Sequence, residues 1–358
     1  MTRLLTACGL LALLALPLVH AAPQAYSASE RGDAIQLRDS AADTTVSVVP
    51  SVGNVAFEMK VKGADILRFP YESVEAFRKM PRLSGIPFMG PWANRLDEPG
   101  FYANGKHYTF NLELGNVRGP RPIHGFLSST SRWRVIEARS DASSAWVTSR
   151  LEFYRDPAWM AQFPFAHTID MTYRLRGGEL EVATRIENLS HDPMPVSIGY
   201  HPYFQLTDSP RDAWTVSLGA RTEWVLSPEK IPTGETRPIT AMFPDPARIA
   251  LKDFDLDHVY GDLVRDQSAR AVMSVRGKSQ QIDVVFGPNY RAAVVYAPQA
   301  RPNPSGAPAA APNFICFEPM VAITNALNLA HKGLYKELQS IPPGGVWQES
   351  FWIRTKGF

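Results

Sequence analysis

The chain has 358 residues, 45% of them hydrophobic, enough to build a large buried core. Its 37 basic and 35 acidic residues nearly cancel and no basic run occurs, so no nucleic-acid partner is expected. No CxxC, HExxH, Walker or GxGxxG pattern is present, and metals and nucleotides gain no support from motifs.

The N-terminus reads MTRLLTACGLLALLALPLVHAAPQ: one arginine, Arg3, then an apolar run from Leu4 to Val19, then small residues. This is the secretory pattern, with cleavage expected after Ala21. The run is short for a membrane span, which takes about 20 apolar residues, so no stable membrane insertion is expected after cleavage. Cys8 mimics an acylation site but precedes most of the apolar run, so lipidation is not the expected outcome. Export follows, to the periplasm if the cell is Gram-negative. Only Cys316 survives processing, which excludes an internal disulfide and leaves stability to the core.

Downstream the patterning has period two. Thr45–Val49 is the first strand-like run, and Val74–Lys79 is the one modest helical candidate. Asn104-Gly105 predicts a tight hairpin inside Phe101–Tyr108. Trp133–Ala138 and Trp146–Phe153 read as strands. His167, Ile169, Met171, Tyr173 and Leu175 alternate with polar residues up to Gly177-Gly178, and alternation resumes from Leu180 to Ile186; this predicts a second hairpin. Trp214–Leu218, Gln281–Phe286, Arg291–Tyr296, Phe314–Glu318 and Trp347–Arg354 complete the strand candidates. The 30 prolines and 24 glycines leave little room for long helices. An all-β sandwich or barrel follows, as one domain over residues 22–358. The stretch from Ala297 to Asn313, rich in Pro, Ala and Gly, reads as a mobile loop within it.

Five segments set an ionisable residue among Gly, Pro and aromatics: GIPFMGPWANRL with Asn94 and Arg95, RPIHGFL with His124, PVSIGYHPYFQL with His201, DFDLDHVY with Asp257 and His258, and NFICFEPM with Glu318. In the third, Val196, Ile198 and Tyr200 share one strand face, while Ser197, Gly199 and His201 share the other. That second face lacks bulk and ends in an imidazole, which suits neither a core nor an ordinary charged surface. In the fifth, Phe314, Cys316 and Glu318 share a face, and a carboxylate there is costly to bury unless paired or used. Each segment taken alone has a structural explanation. A strand histidine is commonly a hydrogen-bonded core residue, Arg95 has an ordinary surface reading, and Glu318 beside Pro319 has one as a strand end.

Together the five resemble the aldose 1-epimerase (galactose mutarotase) family. GPWANRL is similar to its Gly-x-x-Ala-Asn-Arg segment, IHG to its Leu-His-Gly, HPYFQL to its His-Pro-Tyr-Phe-Asn-Leu, LDH to its Asp-His pair, and ICFEP to the strand ending in its glutamate. The resemblance implies a large antiparallel β-sandwich of the galactose-mutarotase type, a supersandwich with an open sugar cleft on one sheet. It implies Glu318 as general base and His201 as general acid in anomer interconversion of free aldohexoses. The cleared face of Ser197, Gly199 and His201 would then be a sugar floor. Arg95, His124 and Asp257 would bind sugar oxygens, with Asn94 in support, and no cofactor or metal is implied. Pro91-Trp92, Gln205 and the single Gly125 after His124 depart from the family pattern and bear on substrate choice.

This chemistry suits the residue types, because one base and one acid suffice to open and reclose a hemiacetal. Ordinary pKa values near 4.3 and 6.5 would place Glu318 and His201 correctly around pH 5–6, and a nearby carboxylate would raise the imidazole further. Trp92 offers either a stacking face for a sugar or a core side chain. Three other functions fit the same scaffold. They are a hexose-phosphate epimerase gripping phosphate with Arg82, Arg118 or Arg121, a non-catalytic sugar-binding protein, and a glycosidase using Asp257 with Glu318. The sequence does not give the preferred sugar or the oligomeric state.

Overall fold

A computed structural model describes residues 25–113, 117–300 and 312–358. The expected signal segment, Cys8 and most of the Pro/Ala-rich stretch lie outside the described residues. What is described is β-rich and built on antiparallel strand pairing. A nine-stranded sheet and an eight-stranded sheet carry most of it, and a five-stranded sheet is formed near the N-terminus by Tyr26–Asp65.

The nine-stranded sheet contains the predicted hairpin, His167–Arg176 with Glu179–Asn188, beside its central strand Val346–Lys356. Gly177 and Gly178 both have positive φ, 57° and 73°, the geometry a two-residue turn between twisted strands demands. Their register pairs Leu175 with Leu180 and Tyr173 with Val182, so the apolar sets of both strands face inward. The outward face is polar and holds a bidentate Arg150–Asp170 pair at 2.6 and 2.8 Å. Asn104-Gly105 makes the same kind of turn, with φ of 52° and 72°.

The predicted helix spans Val74–Lys79, with the Ser73 hydroxyl accepting from the Ala76 N–H at 3.1 Å. Two further six-residue helices, Pro157–Gln162 and Ala326–His331, correct the expectation of one. The first carries a start signal, Asp156 capping the N–H groups of Ala158 and Trp159 ahead of Pro157 at the first position.

The eight-stranded sheet positions the chemistry. Leu256–Leu263, Ala292–Ala297 and Ile315–Met320 run side by side, and Gly199–Tyr200 continues the order towards Phe88–Met89. Register places Asp257 opposite Tyr296, Tyr296 opposite Cys316, and Cys316 opposite Tyr203. Glu318, two residues beyond Cys316, shares that face. The alternate residues Val295, Phe317 and Phe204 enter the main core, a cluster reaching from Ile35 to Ile353. Core packing therefore locks the strands while their other face is turned to the site.

The same alternation anchors His201. Val196, Ile198 and Tyr200 are all in the main core. Tyr200 packs on Phe88 and Phe351, and its hydroxyl lies 2.5 Å from that of Thr184 on the nine-stranded sheet. His201 follows on the opposite face with its N–H donating to Pro87 O at 3.1 Å. Trp92 is a core residue, 1% exposed and stacked on Phe110 at 4.3 Å, which settles its two readings against a sugar platform.

Candidate active site

Glu318, His201, His124, Arg95, Asn94 and Asp257 converge although they are scattered along most of the chain. His201 Nε2 stands 3.2 Å from Glu318 Oε1. The His124 and His201 rings meet edge to face at 5.4 Å. Arg95 Nη2 donates to Asp257 Oδ2 at 3.3 Å. Asn94 Oδ1 accepts both from the Arg95 backbone N–H, at 2.8 Å, and from its Nη1, at 3.1 Å. Asn94 thus fixes the guanidinium that the neighbouring residue presents. Neither surface reading survives: Glu318 is 1% exposed and Arg95 8%.

The loops that deliver these groups are strained. Asn94 and His124 both occupy the left-handed region, with φ of 58° and 63°, and the His124 N–H donates to Asn94 O at 3.0 Å. Gly125 makes the close approach possible. At its φ of 59° a Cβ would sit 2.0 Å from Gly90 O. Gly125→Ala combines left-handed strain with overpacking and is expected to destabilise by about 3 kcal/mol. It should also weaken activity by displacing His124. Calorimetric melting checks this, and a variant melting with the wild type would overturn it.

One detail of the sequence reading is corrected. Ser197 and Gly199 do not leave an open floor. Ser197 O accepts from the Ala93 N–H at 2.6 Å, and a Cβ on Gly199 would lie 2.6 Å from Met320 Sδ and 3.1 Å from Ala93 Cβ. Small residues are needed there because the segment carrying Asn94 and Arg95 crosses against this strand. The imidazole remains at the site; the cleared face is filled by protein.

Burial sets the electrostatics. Desolvation pushes the Glu318 carboxyl well above the usual carboxylate range; the Asp257 charge adds to this and Arg95 opposes it. Desolvation pulls His201 down to about 4, outweighing Asp257, which raises it. The expectation that a carboxylate would raise this imidazole fails for that reason. His124 is lowered as well, by burial first and then by His201, Arg95 and Arg118. Both shifts favour the uncharged forms of the Glu318–His201 pair, so burial biases its one exchangeable proton towards the carboxyl.

Three buried atoms at this point have no hydrogen-bond partner among the described residues: Glu318 Oε2, His201 Nδ1 and His124 Nδ1. A buried polar atom left unpaired costs about 1–3 kcal/mol, so their clustering marks a place built for a polar ligand. No group of three or more His, Cys, Asp or Glu side chains placed to hold a metal occurs among the described residues.

The sequence model of the aldose 1-epimerase family matches residues 34–352. The chain belongs to this family. It superposes on a galactose mutarotase-like protein from Clostridium acetobutylicum with a TM-score of 0.78 at 21% identity, over 93% of this chain and 98% of that one. A galactose 1-epimerase from Lactobacillus acidophilus gives 0.71 at 17% identity, and an aldose epimerase homologue from C. elegans 0.69 at 18%, each over 93% of this chain and 98% of the other. At such identities the likeness carries the fold, which is the galactose-mutarotase sandwich expected from the sequence.

Within this aldose epimerase fold some site residues carry no segment signal of their own. Tyr203 stacks on His201 at 4.7 Å and 10°, fixing the imidazole plane. Its position two residues after His201, on the same strand face, is the available signal. His258, paired with Asp257 in sequence, belongs elsewhere, with Nδ1 2.6 Å from Glu223 Oε1. Of the three arginines considered for phosphate, Arg82 is exposed and contacts Met80. Arg118 and Arg121 line a cavity of about 390 Å³ that Arg95 and Asp257 also line.

Proposed function

We propose that this protein is an aldose 1-epimerase that interconverts the α and β anomers of free aldohexoses by general acid/base catalysis, without a cofactor. The observation carrying the proposal is the buried Glu318–His201 pair at 3.2 Å, with unpaired atoms on both partners and the Arg95–Asp257 pair alongside.

In the reactive state the shared proton moves from Glu318 to His201 Nε2 across that contact. Glu318 then takes the proton of the C1 hydroxyl, whose electrons form the aldehyde as the bond from C1 to the ring oxygen breaks. The ring oxygen takes the proton from His201. Rotation about C1–C2 presents the other aldehyde face, and the same transfers reversed close the ring and restore both groups. Arg95 favours the Glu318 carboxylate, and Asp257 favours the His201 imidazolium. Each also opposes the other partner, so the ion pair moderates the dry site without fixing the proton on one side. His124 and Arg95 hold sugar oxygens in this proposal, and Asp257 accepts from ring hydroxyls. In this reading the work takes place after export and removal of residues 1–21, in the periplasm if the cell is Gram-negative.

The test is polarimetry on freshly dissolved α-galactose and α-glucose. Purified protein is expected to accelerate the approach to the equilibrium rotation, with the same rate after dialysis against EDTA. Sugar binding without acceleration would instead support a binding protein. Release of a reducing end from a disaccharide would support a glycosidase.

A further inference from the structure

The cavity beside Arg95 and Asp257 has a charge pattern that the handling of a neutral hexose does not require. Its lining comprises Arg118, Pro120, Arg121, Pro228, Glu229 and Lys230 in addition to the shared pair. Arg95 and Asp257 satisfy each other at 3.3 Å. Glu229 accepts from the Ser227 hydroxyl at 2.8 Å and lies within the field of Arg121, whose Nη1 donates to Asp97 O at 2.5 Å. Arg118 and Lys230 are left over, and neither makes an ion pair among the described residues. Two uncompensated cations thus stand in one cavity, in a chain whose entire formal net charge is +2.

Both cations are held by tight turns. Arg118 and Arg121 face each other across a two-residue ladder closed by Gly119-Pro120. Lys230 sits at φ 64° in the turn joining Ala220–Leu226 to Pro232–Pro238, with its N–H donating to Ser227 O at 2.9 Å. A left-handed lysine is a strained choice where glycine would be relaxed. Arg118 also reaches the reaction site electrostatically, since its charge helps to lower His124.

We propose that this cavity is an anion subsite, which makes the preferred substrates aldoses bearing a carboxylate or phosphate away from C1. The inference rests on the mutarotase reading. A sugar held by Glu318, His201, Arg95 and Asp257 has its remaining substituents at the mouth of the cavity, because Arg95 and Asp257 belong to both. There Arg118 and Lys230 give charge-assisted hydrogen bonds to the anion, the arginine in a fork and the lysine as a point charge. A uronic acid and a sugar phosphate share this chemistry.

Mutarotation of galactose, galacturonate and galactose 6-phosphate, measured with wild type and with an Arg118→Gln/Lys230→Gln double variant, tests it. Arg121 is left intact because it also holds the Asp97 carbonyl. In wild type at low ionic strength, kcat/KM for at least one anion is expected to exceed that for galactose tenfold or more. The double variant should cut that ratio at least tenfold, and salt should erode it. The larger of the two ratios identifies the anion. Equal or lower kcat/KM for both anions than for galactose, or a ratio that the double variant leaves intact, overturns the subsite. Calorimetric binding of galacturonate and galactose to Glu318→Gln protein separates the two readings. If wild type accelerates no sugar, the mutarotase reading fails, and the subsite then stands or falls on whether galacturonate outbinds galactose.

Discussion

Glu318→Gln is expected to lower kcat for anomer interconversion by about a thousandfold while making the protein more stable at pH 8. The kinetic loss follows because the amide neither takes the C1 proton nor returns it; positioned acid/base groups contribute about 10²–10⁴ in rate. His201→Asn should lose about a hundredfold, because it removes the proton delivered to the ring oxygen. The stability gain follows from linkage. The folded-state pKa of Glu318 lies above its unfolded value, so the folded protein binds the extra proton between the two. Stability is then full below the unfolded pKa and falls as pH rises towards the folded one. The substituted amide is neutral at every pH and escapes that loss. The melting temperature of the Glu318→Gln variant should match wild type near pH 5 and exceed it by a few degrees at pH 8. Retention of activity within tenfold of wild type would remove Glu318 from the mechanism. Equal melting at pH 8 would mean its carboxyl is not destabilised by burial.

The strand framework was legible where alternation is clean. The Gly177-Gly178 hairpin, the split of Tyr200 from His201 and the split of Phe317 from Glu318 all follow from period-two faces. It was illegible where a buried polar residue breaks the pattern. Ala220–Leu226 turns Glu223 inward at 1% exposure, paired with His258 and with Arg237 at 2.9 Å, so the strand does not read as apolar alternation. Leu256–Leu263 does not read as a strand either, because half-buried Asp257 and His258 stand side by side and Val259, Tyr260 and Gly261 are buried in succession, so its faces do not alternate.

The candidate site residues were legible by type, because five short segments carry all six of them, Asn94 and Arg95 together in the first. Their electrostatics were not. That His201 lies at about 4 reflects how much protein covers it, a property of the assembled sheet. What fills the face of Ser197 and Gly199 was illegible too, because the segment concerned, Trp92-Ala93, lies far earlier in the chain. The cavity cations are further removed still: a two-residue ladder and a hairpin turn meet beside Arg95 through long-range packing alone.

Folding stability is expected to fall steeply with acidification between pH 6.5 and 4. His201 and His167 are both buried, and burial lowers each from 6.5 to about 4. The unfolded chain binds the two protons throughout that window and the folded chain does not. The stability is therefore fully present above pH 6.5, drains as pH falls, and is gone below 4. Each shift corresponds to about 3 kcal/mol, so the pair approaches a large part of a marginal domain stability. His167 should dominate the remainder when His201 is replaced, because burial, with Phe153 stacked on it at 4.2 Å, lowers it despite the opposing Phe165 carbonyl 2.7 Å from its Nδ1. Urea unfolding of the Glu318→Gln variant at steps from pH 4 to 8 measures this free of the opposing Glu318 contribution, and a flat profile there would reject buried neutral histidines. Activity has a different window. With ordinary pKa values the required ionisation, carboxylate with imidazolium, would vanish above about pH 6.5. A pair sharing one proton needs only to keep that proton, so its limbs are macroscopic values of the pair. The acid limb is the second protonation, near the His201 value of about 4, and the alkaline limb is loss of the last proton from raised Glu318. The rate should therefore hold to higher pH than an unperturbed pair allows, and an alkaline fall centred on pH 6.5 would assign the proton to an unperturbed histidine.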